Sequence, residues 1–402
     1  MRLIQLATAL VGLPTIAKAI SASSDHSVRS DLLDLHKSLI TISSTSGNEH
    51  DVGVFLADYL AEKGYTVQRL PVKPYESASN IKGRFNVVAT KNPDVSKLRL
   101  LVTSHIDVVP PHIPYEIEDG EVTKDTIIKG RGSVDAKASV AAMIVALEEL
   151  IAADQITGDE AMLAFVVGEE VSGDGMRAFG DFLAKNDPPI KFESAIFGEP
   201  TENKLACGHK GGLFCSLTAK GVPGHSGYPW LGKSANEVTI RALAKLLDTD
   251  LGSSEDYGNT TVNIGRFEGG VAANVIPESA KAGLMVRVAI GPEKKGAVVV
   301  RQRILDVLNE VDEEAFDLDC ATGYGFVACD CEVDGFDKIV VNYGTDIPNL
   351  DGDHTRYLYG PGTILVAHGA NENITVGSLE QAVDDYQKLI LHALGSESNE
   401  EL

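Results

Sequence analysis

Basic residues are scarce in this chain: 35 Lys and Arg stand against 58 Asp and Glu, a formal net charge of -23. That deficit excludes a nucleic-acid partner from the expected functions, because neutralising phosphates needs a surplus of cations. Cysteine is scarce too. Five residues (Cys207, Cys215, Cys320, Cys329 and Cys331) are too few for a disulfide scaffold, and the odd number leaves at least one unpaired within the chain. Cys207 and Cys215 flank a Gly211-Gly212 turn and are expected to face each other across a hairpin. Beyond the N-terminus no run is long and apolar enough to span a bilayer, so no membrane partner is expected. Internal repeats and low-complexity tracts are absent.

What is present is ordinary globular material. A chain of 402 residues suggests two domains, and 44% hydrophobic with 23% charged residues supplies ample core. The N-terminus has Arg2, an apolar run over 3–17 broken by Pro14, and small residues at Ala17-Lys18-Ala19. A polar Ser-rich stretch follows at 21–24, which argues against a buried N-terminal helix. Residues 1–19 therefore read as a cleaved secretory signal, and the protein is expected to be secreted. Sequons at Asn259 and Asn373 are compatible with that route.

Helical periodicity covers 30–42 and 52–63, the latter closed by Gly64. Buried-strand runs at 98–103, 161–167 and 194–197 then alternate with helices at 139–150 and 178–184. That alternation predicts an α/β fold, a mostly parallel sheet with helices on both faces. Past Gly208 the texture changes: 212–220, 261–267 and 281–290 look like half-exposed strands, with helices at 235–247 and 296–311. The expected organisation is a larger domain over 20–208 and 323–402, interrupted by a smaller α+β unit over 209–322. A helix over 379–394 closes it, and 395–402 is expected to lack fixed structure.

His105, Asp107, Asp135, Glu169, Glu170, Glu199 and His368 all follow predicted strands or lie in the loops beyond them. In open α/β sheets that end is where ligands bind. Singly, each has a plain explanation: a loop carboxylate is usually solvated, a lone His is more often structural, and Asp135 would serve as an N-cap. The set is more telling. His105 and Asp107 share one face of an extended chain, and a metal-binding imidazole needs its second nitrogen held. Adjacent Glu169 and Glu170 repel unless a cation or proton compensates. Two His and three carboxylate ligands, with one carboxylate left over, suit a pair of divalent ions and hydrolytic chemistry. Mixed imidazole and carboxylate ligation suits Zn2+, with Co2+ or Mn2+ as substitutes.

The chain resembles the M20 metallopeptidases, a family that includes carboxypeptidases, deacetylases and aminoacylases. The segments that carry the resemblance are Ser104-His105-Ile106-Asp107, Gly130-Arg131-Gly132-Ser133-Val134-Asp135-Ala136-Lys137, Gly168-Glu169-Glu170, Gly198-Glu199-Pro200-Thr201, Gly224-His225-Ser226-Gly227, and Gly360-Pro361-Gly362-Thr363 ahead of His368. One departure is Ala136, where relatives commonly carry Met or Gly. The resemblance implies that His105 and Glu199 hold one metal, Glu170 and His368 the other, and Asp135 bridges them. Glu169 would be the general base and Asp107 would orient His105. The inserted unit would be a lid and homodimerisation domain. In it His225 would stabilise the oxyanion, often across the dimer, and Asn274 and Arg287 would contact substrate. Arg287 would pair with a terminal carboxylate. His112, His209 and His354 are expected to be structural.

The implied activity is cleavage of an amide in a small peptide or N-acyl amino acid with a free carboxylate. Secretion favours a metallocarboxypeptidase. The Gly198 and Gly360 segments look more like acetylornithine deacetylase, so an N-acyl-amino-acid deacylase stays open. A catalytically dead binding protein would lack Glu169 or a ligand, and none is missing.

Overall fold

The computed structural model describes residues 30–75 and 82–395. The expected signal at 1–19 and all but Gly395 of the expected loose tail lie outside the described residues. In chain order, strands β1 (Thr66–Pro71), β2 (Phe85–Thr90), β3 (Leu100–His105), β4 (Ala161–Val166), β5 (Ser194–Gly198) and β6 (Leu205–His209) come first. Next come β7 (Gly211–Lys220), β8 (Thr261–Gly269), β9 (Ser279–Val288) and β10 (Phe316–Cys320), which form a separate sheet. Strands β11 (Val327–Ala328), β12 (Lys338–Val341) and β13 (Thr355–Tyr359) return to the first.

The large sheet runs in the order β1-β2-β4-β3-β5-β13-β6-β11, with β12 also on β6. Its centre, β4-β3-β5-β13, is parallel, and antiparallel pairing begins at β2 on one side and β6 on the other. Every residue of β3, β4 and β5 is buried, as strands covered on both faces must be. Leu100 and Val102 join the core under helices α1 (residues 30–41), α2 (His50–Glu62), α3 (Lys137–Ala152) and α7 (Val376–Ala393). Leu101, between them, joins Met176 and Phe179 of α4 (Asp174–Lys185) on the opposite face. Helix α3 lies between β3 and α7, which is why it is apolar nearly all round.

The smaller sheet, β8-β9-β7-β10, is wholly antiparallel. Helices α5 (Ala235–Asp248) and α6 (Glu293–Val311) cover one face, packing Leu243, Leu246, Val300 and Ile304 against Leu217, Leu284 and Val286. The other face leaves Phe214 exposed.

The cysteine expectation is corrected here. Cys207 and Cys215 do not pair: the disulfides are Cys207–Cys331 and Cys215–Cys320, with Cys329 free. Only Lys210 separates β6 from β7, yet the two strands belong to different sheets and form no hairpin. Each cysteine finds its partner on the returning chain; Cys320 lies directly opposite Cys215 in the β10–β7 ladder. Among the described residues no helix is long and apolar enough to cross a membrane.

Candidate active site

His105 is the last residue of β3, Glu169 and Glu170 follow β4, and Glu199 follows β5. His368 lies beyond β13, and Asp135 ends the loop that opens α3. The parallel centre of the sheet thus delivers five of these six side chains from its carboxyl ends. The sixth, Asp135, enters from the side and stands between the imidazoles. One of its oxygens is 3.1 Å from His105 Nε2 and the other 3.3 Å from His368 Nε2. Glu199 Oε1 lies 3.8 Å from His105 Nε2, and Glu170 Oε2 2.9 Å from His368 Nε2. Ligand atoms of His105, Asp135 and Glu170 fall within 4.8 Å of one another, as do those of His105, Glu169 and Glu199.

This donor set fits a pair of cations. His105 Nδ1 lies 2.9 Å from the backbone carbonyl of Asp107, an acceptor only, so Nδ1 carries the proton. Nε2 faces oxygens of Asp135 and Glu199, and without a cation it meets them by carrying a second proton, which is the place a bound cation would take. Among the described residues no Lys or Arg ion pair reaches Asp135, Glu169, Glu170 or Glu199.

The protein's own charges say the same. Burial, with Glu199 alongside, raises the Glu169 carboxyl well above the usual carboxylate range. Burial also raises Glu170, and lifts Glu199 to about 7. Against the penalty of burial, hydrogen bonds from His105 and His368 hold Asp135 below its ordinary value. Bonds to Asp135 and Glu170 raise His368 to about 10. Crowded carboxylates and histidines of raised proton affinity mark a place organised for added positive charge.

Asp107 differs in detail from the reading based on sequence. Its carboxylate lies 3.6 Å from His105 Nδ1, while its backbone carbonyl makes the closer contact. The carboxylate instead accepts from Ser46 Oγ at 2.7 Å and from the backbone N–H groups of Glu169 and Glu170 at 3.1 and 3.3 Å. It is fully buried and fixes the Glu169–Glu170 loop as much as the imidazole.

That loop rests on a residue the sequence did not announce. Arg84, fully buried, pairs with Glu49 at 3.0 Å and Asp174 at 2.7 Å and stacks on Tyr75 at 4.2 Å. The cluster lies against Gly168, whose φ is +75°. A Cβ there would come within 2.3 Å of Arg84 Nη2 and of Asp174 Oδ1, so only glycine fits before Glu169. A second unannounced residue is Asp346. It is buried, lines the cavity behind His105, Glu169 and Glu199, and is lifted to about 6 by burial.

The substrate-side candidates sit elsewhere. His225 and Asn274 adjoin on a small two-stranded ribbon, Ser226 N–H donating to Asn274 O at 3.1 Å. His225 Nδ1 accepts from Gly227 N–H at 3.0 Å, leaving a proton on Nε2 of the exposed ring. Among the described residues no hydrogen bond or ion pair joins His225 or Asn274 to the carboxylate cluster. Arg287 lies on the uncovered side of β9, and its guanidinium approaches Gly344, two residues from Asp346.

The three histidines expected to be structural stand apart from the cluster. His209 is buried, with Nε2 on Thr345 Oγ1 at 3.0 Å, and burial lowers it to about 4. Burial also lowers His112 and His354.

Residues 207–315 match the model of the peptidase dimerisation domain of M20 proteins. A "Peptidase M20 domain-containing protein" of Sordaria macrospora is 55% identical over 390 residues, covering 92% of this chain and 86% of its own. A "Probable carboxypeptidase" of Aspergillus fumigatus is 46% identical over 391 residues, covering 91% and 87%. Among solved structures, an M20 family metallo-carboxypeptidase from Sulfolobus solfataricus superposes with a TM-score of 0.68 at 18% identity, over 90% of this chain and 99% of that one. With the fold, the site's donor set and these relatives in agreement, the chain belongs to the M20 family of metallopeptidases.

Proposed function

We propose that this protein is a secreted two-cation metallocarboxypeptidase that releases the C-terminal residue of a small peptide. The observation that carries the reading is the Asp135 carboxylate, each oxygen facing a different imidazole at 3.1 and 3.3 Å. His105 and Glu199 would hold one divalent ion, His368 and Glu170 the other, and Asp135 both; Zn2+ suits this mixture best. When bound, such a pair supplies Lewis acidity and a water acidic enough to attack at neutral pH. The rest is the work of side chains. Glu169 takes the proton of the attacking water on its carboxylate and passes it to the leaving nitrogen. His225 donates from Nε2 to the oxygen of the tetrahedral centre. Arg287 pairs with the substrate's terminal carboxylate, and Asn274 orients its backbone.

His225 and Asn274 reach a site through a partner: the small unit pairs two copies of the chain, and each lends its ribbon to the other. The match to a dimerisation domain supports this, as do the exposed Phe214, Ile240 and Leu247 of that unit. Two disulfides support an oxidising compartment, in line with the N-terminal signal. Of the sequons, Asn259 is exposed, whereas Asn373 donates its amide to Asn371 O at 2.6 Å, so glycosylation is expected at Asn259.

The deciding experiment is hydrolysis of N-blocked dipeptides and N-acetyl amino acids, with and without a chelator. Chelator-sensitive release of the C-terminal residue from the dipeptides is the expected result. Cleavage of acetylated amino acids alone would move the assignment to a deacylase, the reading favoured by the Gly198 and Gly360 segments.

A further inference from the structure

Asp135 and His368 come from loops 233 positions apart, and neither is held in place by its own element. Asp135 ends an irregular loop, and His368 is 53% exposed with a φ of +61°. Something must fix their spacing, since a carboxylate that faces two imidazoles tolerates little drift.

The bond network points to Glu372 and Arg131. Glu372 is 1% exposed, and its Oε1 accepts from three backbone amides of the Asp135 loop: Gly132 at 2.9 Å, Val134 at 3.2 Å and Asp135 itself at 3.2 Å. Its own carbonyl accepts from Gly130 N–H at 3.2 Å. Oε2 takes Arg131 Nη1 at 2.6 Å, an ion pair buried at both ends. Arg131 extends the connection: Nη2 donates to the carbonyl of His368 at 3.4 Å, and Nε to that of Pro111 at 3.3 Å. A backbone nest of converging amides commonly binds a free anion, but here the chain fills it with its own carboxylate.

We propose that Glu372 and Arg131 are positioning residues that set the separation of Asp135 and His368, and through it the protein's affinity for divalent cations. They touch neither substrate nor cation, and act by aiming the groups that do. This rests on the reading of Asp135 and His368 as ligands. Outer partners of metal ligands typically contribute 10- to 100-fold to affinity, and one residue pair serving two ligands belongs in that range.

The test uses Glu372→Gln, which keeps an oxygen for the three amides but loses the charge that holds Arg131. Arg131→Lys is its companion, keeping the charge but not the reach to both Glu372 and His368. Zn2+ affinity of the chelator-stripped full chain is measured against a competing chelator, alongside its melting temperature without zinc. The expected result is affinity lower by about 10- to 100-fold in both variants, in a stripped protein that still folds but melts lower because a buried charge has lost its partner, with most of kcat regained at saturating Zn2+. Lower melting with unchanged affinity would overturn the proposal and leave the pair as a structural brace. Should Asp135→Asn still bind two ions at normal affinity, the ligand reading itself would be wrong, a failure distinguishable from the first.

Discussion

The large and small sheets carry their polar residues in opposite ways. In the large unit the candidate ligands are gathered at strand ends, mostly buried, and braced from beneath by Arg84, Asp107, Arg131 and Glu372. In the small unit His225 stands on an exposed ribbon, beside Tyr228 and Trp230 at 53% and 74% exposure. Preorganised charge costs reorganisation energy if it moves, which accords with the bracing of the half that carries the candidate ligands. A half that, as proposed, admits substrate and is completed by a second copy has reason to stay open. On the proposed reading, the difference separates the part of the site that one chain builds from the part it leaves to a second copy.

That contrast can be broken at several points, beginning with the largest expected effect. Glu169→Gln should lower kcat by about 10²- to 10⁴-fold with cation content unchanged, as steady-state kinetics and metal analysis would show. Substantial turnover in that variant would remove Glu169 as the base. His225→Ala should lower kcat by about 10²- to 10³-fold. With the histidine acting across the dimer as proposed, mixing His225→Ala with Glu169→Gln chains should restore activity in hybrid dimers that hold one complete site. If mixing restores nothing while hybrids form, His225 works within its own chain. Arg287→Ala should raise KM for free-carboxylate peptides by about 10- to 100-fold, the loss of one charged hydrogen-bonded pair. A C-terminally amidated peptide should be insensitive to the change. Trp230→Ala, on the open side of the comparison, should shift the unfolding free energy by less than about 0.5 kcal/mol. A larger loss would show that the aromatic ribbon is part of a packed core.

Much of the braced half was legible in sequence, for a physical reason. His105, Glu169 and Glu199 stand where apolar strand runs end, so their polarity is conspicuous and the loops beyond the strands are where sites form. The braces were not legible. Arg84 acquires meaning only beside Glu49, 35 positions away, and Glu372 only beside Arg131, 241 away. A single charged residue in a loop carries no periodicity that announces such a pairing. Cysteine pairing failed similarly, since adjacency across a glycine turn says nothing about which sheet each strand joins. Short strands such as β11 and β12 went unread because two to four residues offer no period to detect.

The central claim, that one chain builds a site for two cations and needs both, is tested most directly by stripping the protein with a chelator and titrating Zn2+ back while following dipeptide hydrolysis. The account predicts negligible hydrolysis at the start and full activity as two equivalents per chain bind. Full activity in the stripped protein, or saturation at one ion with Asp135, His105 and His368 intact, would contradict it.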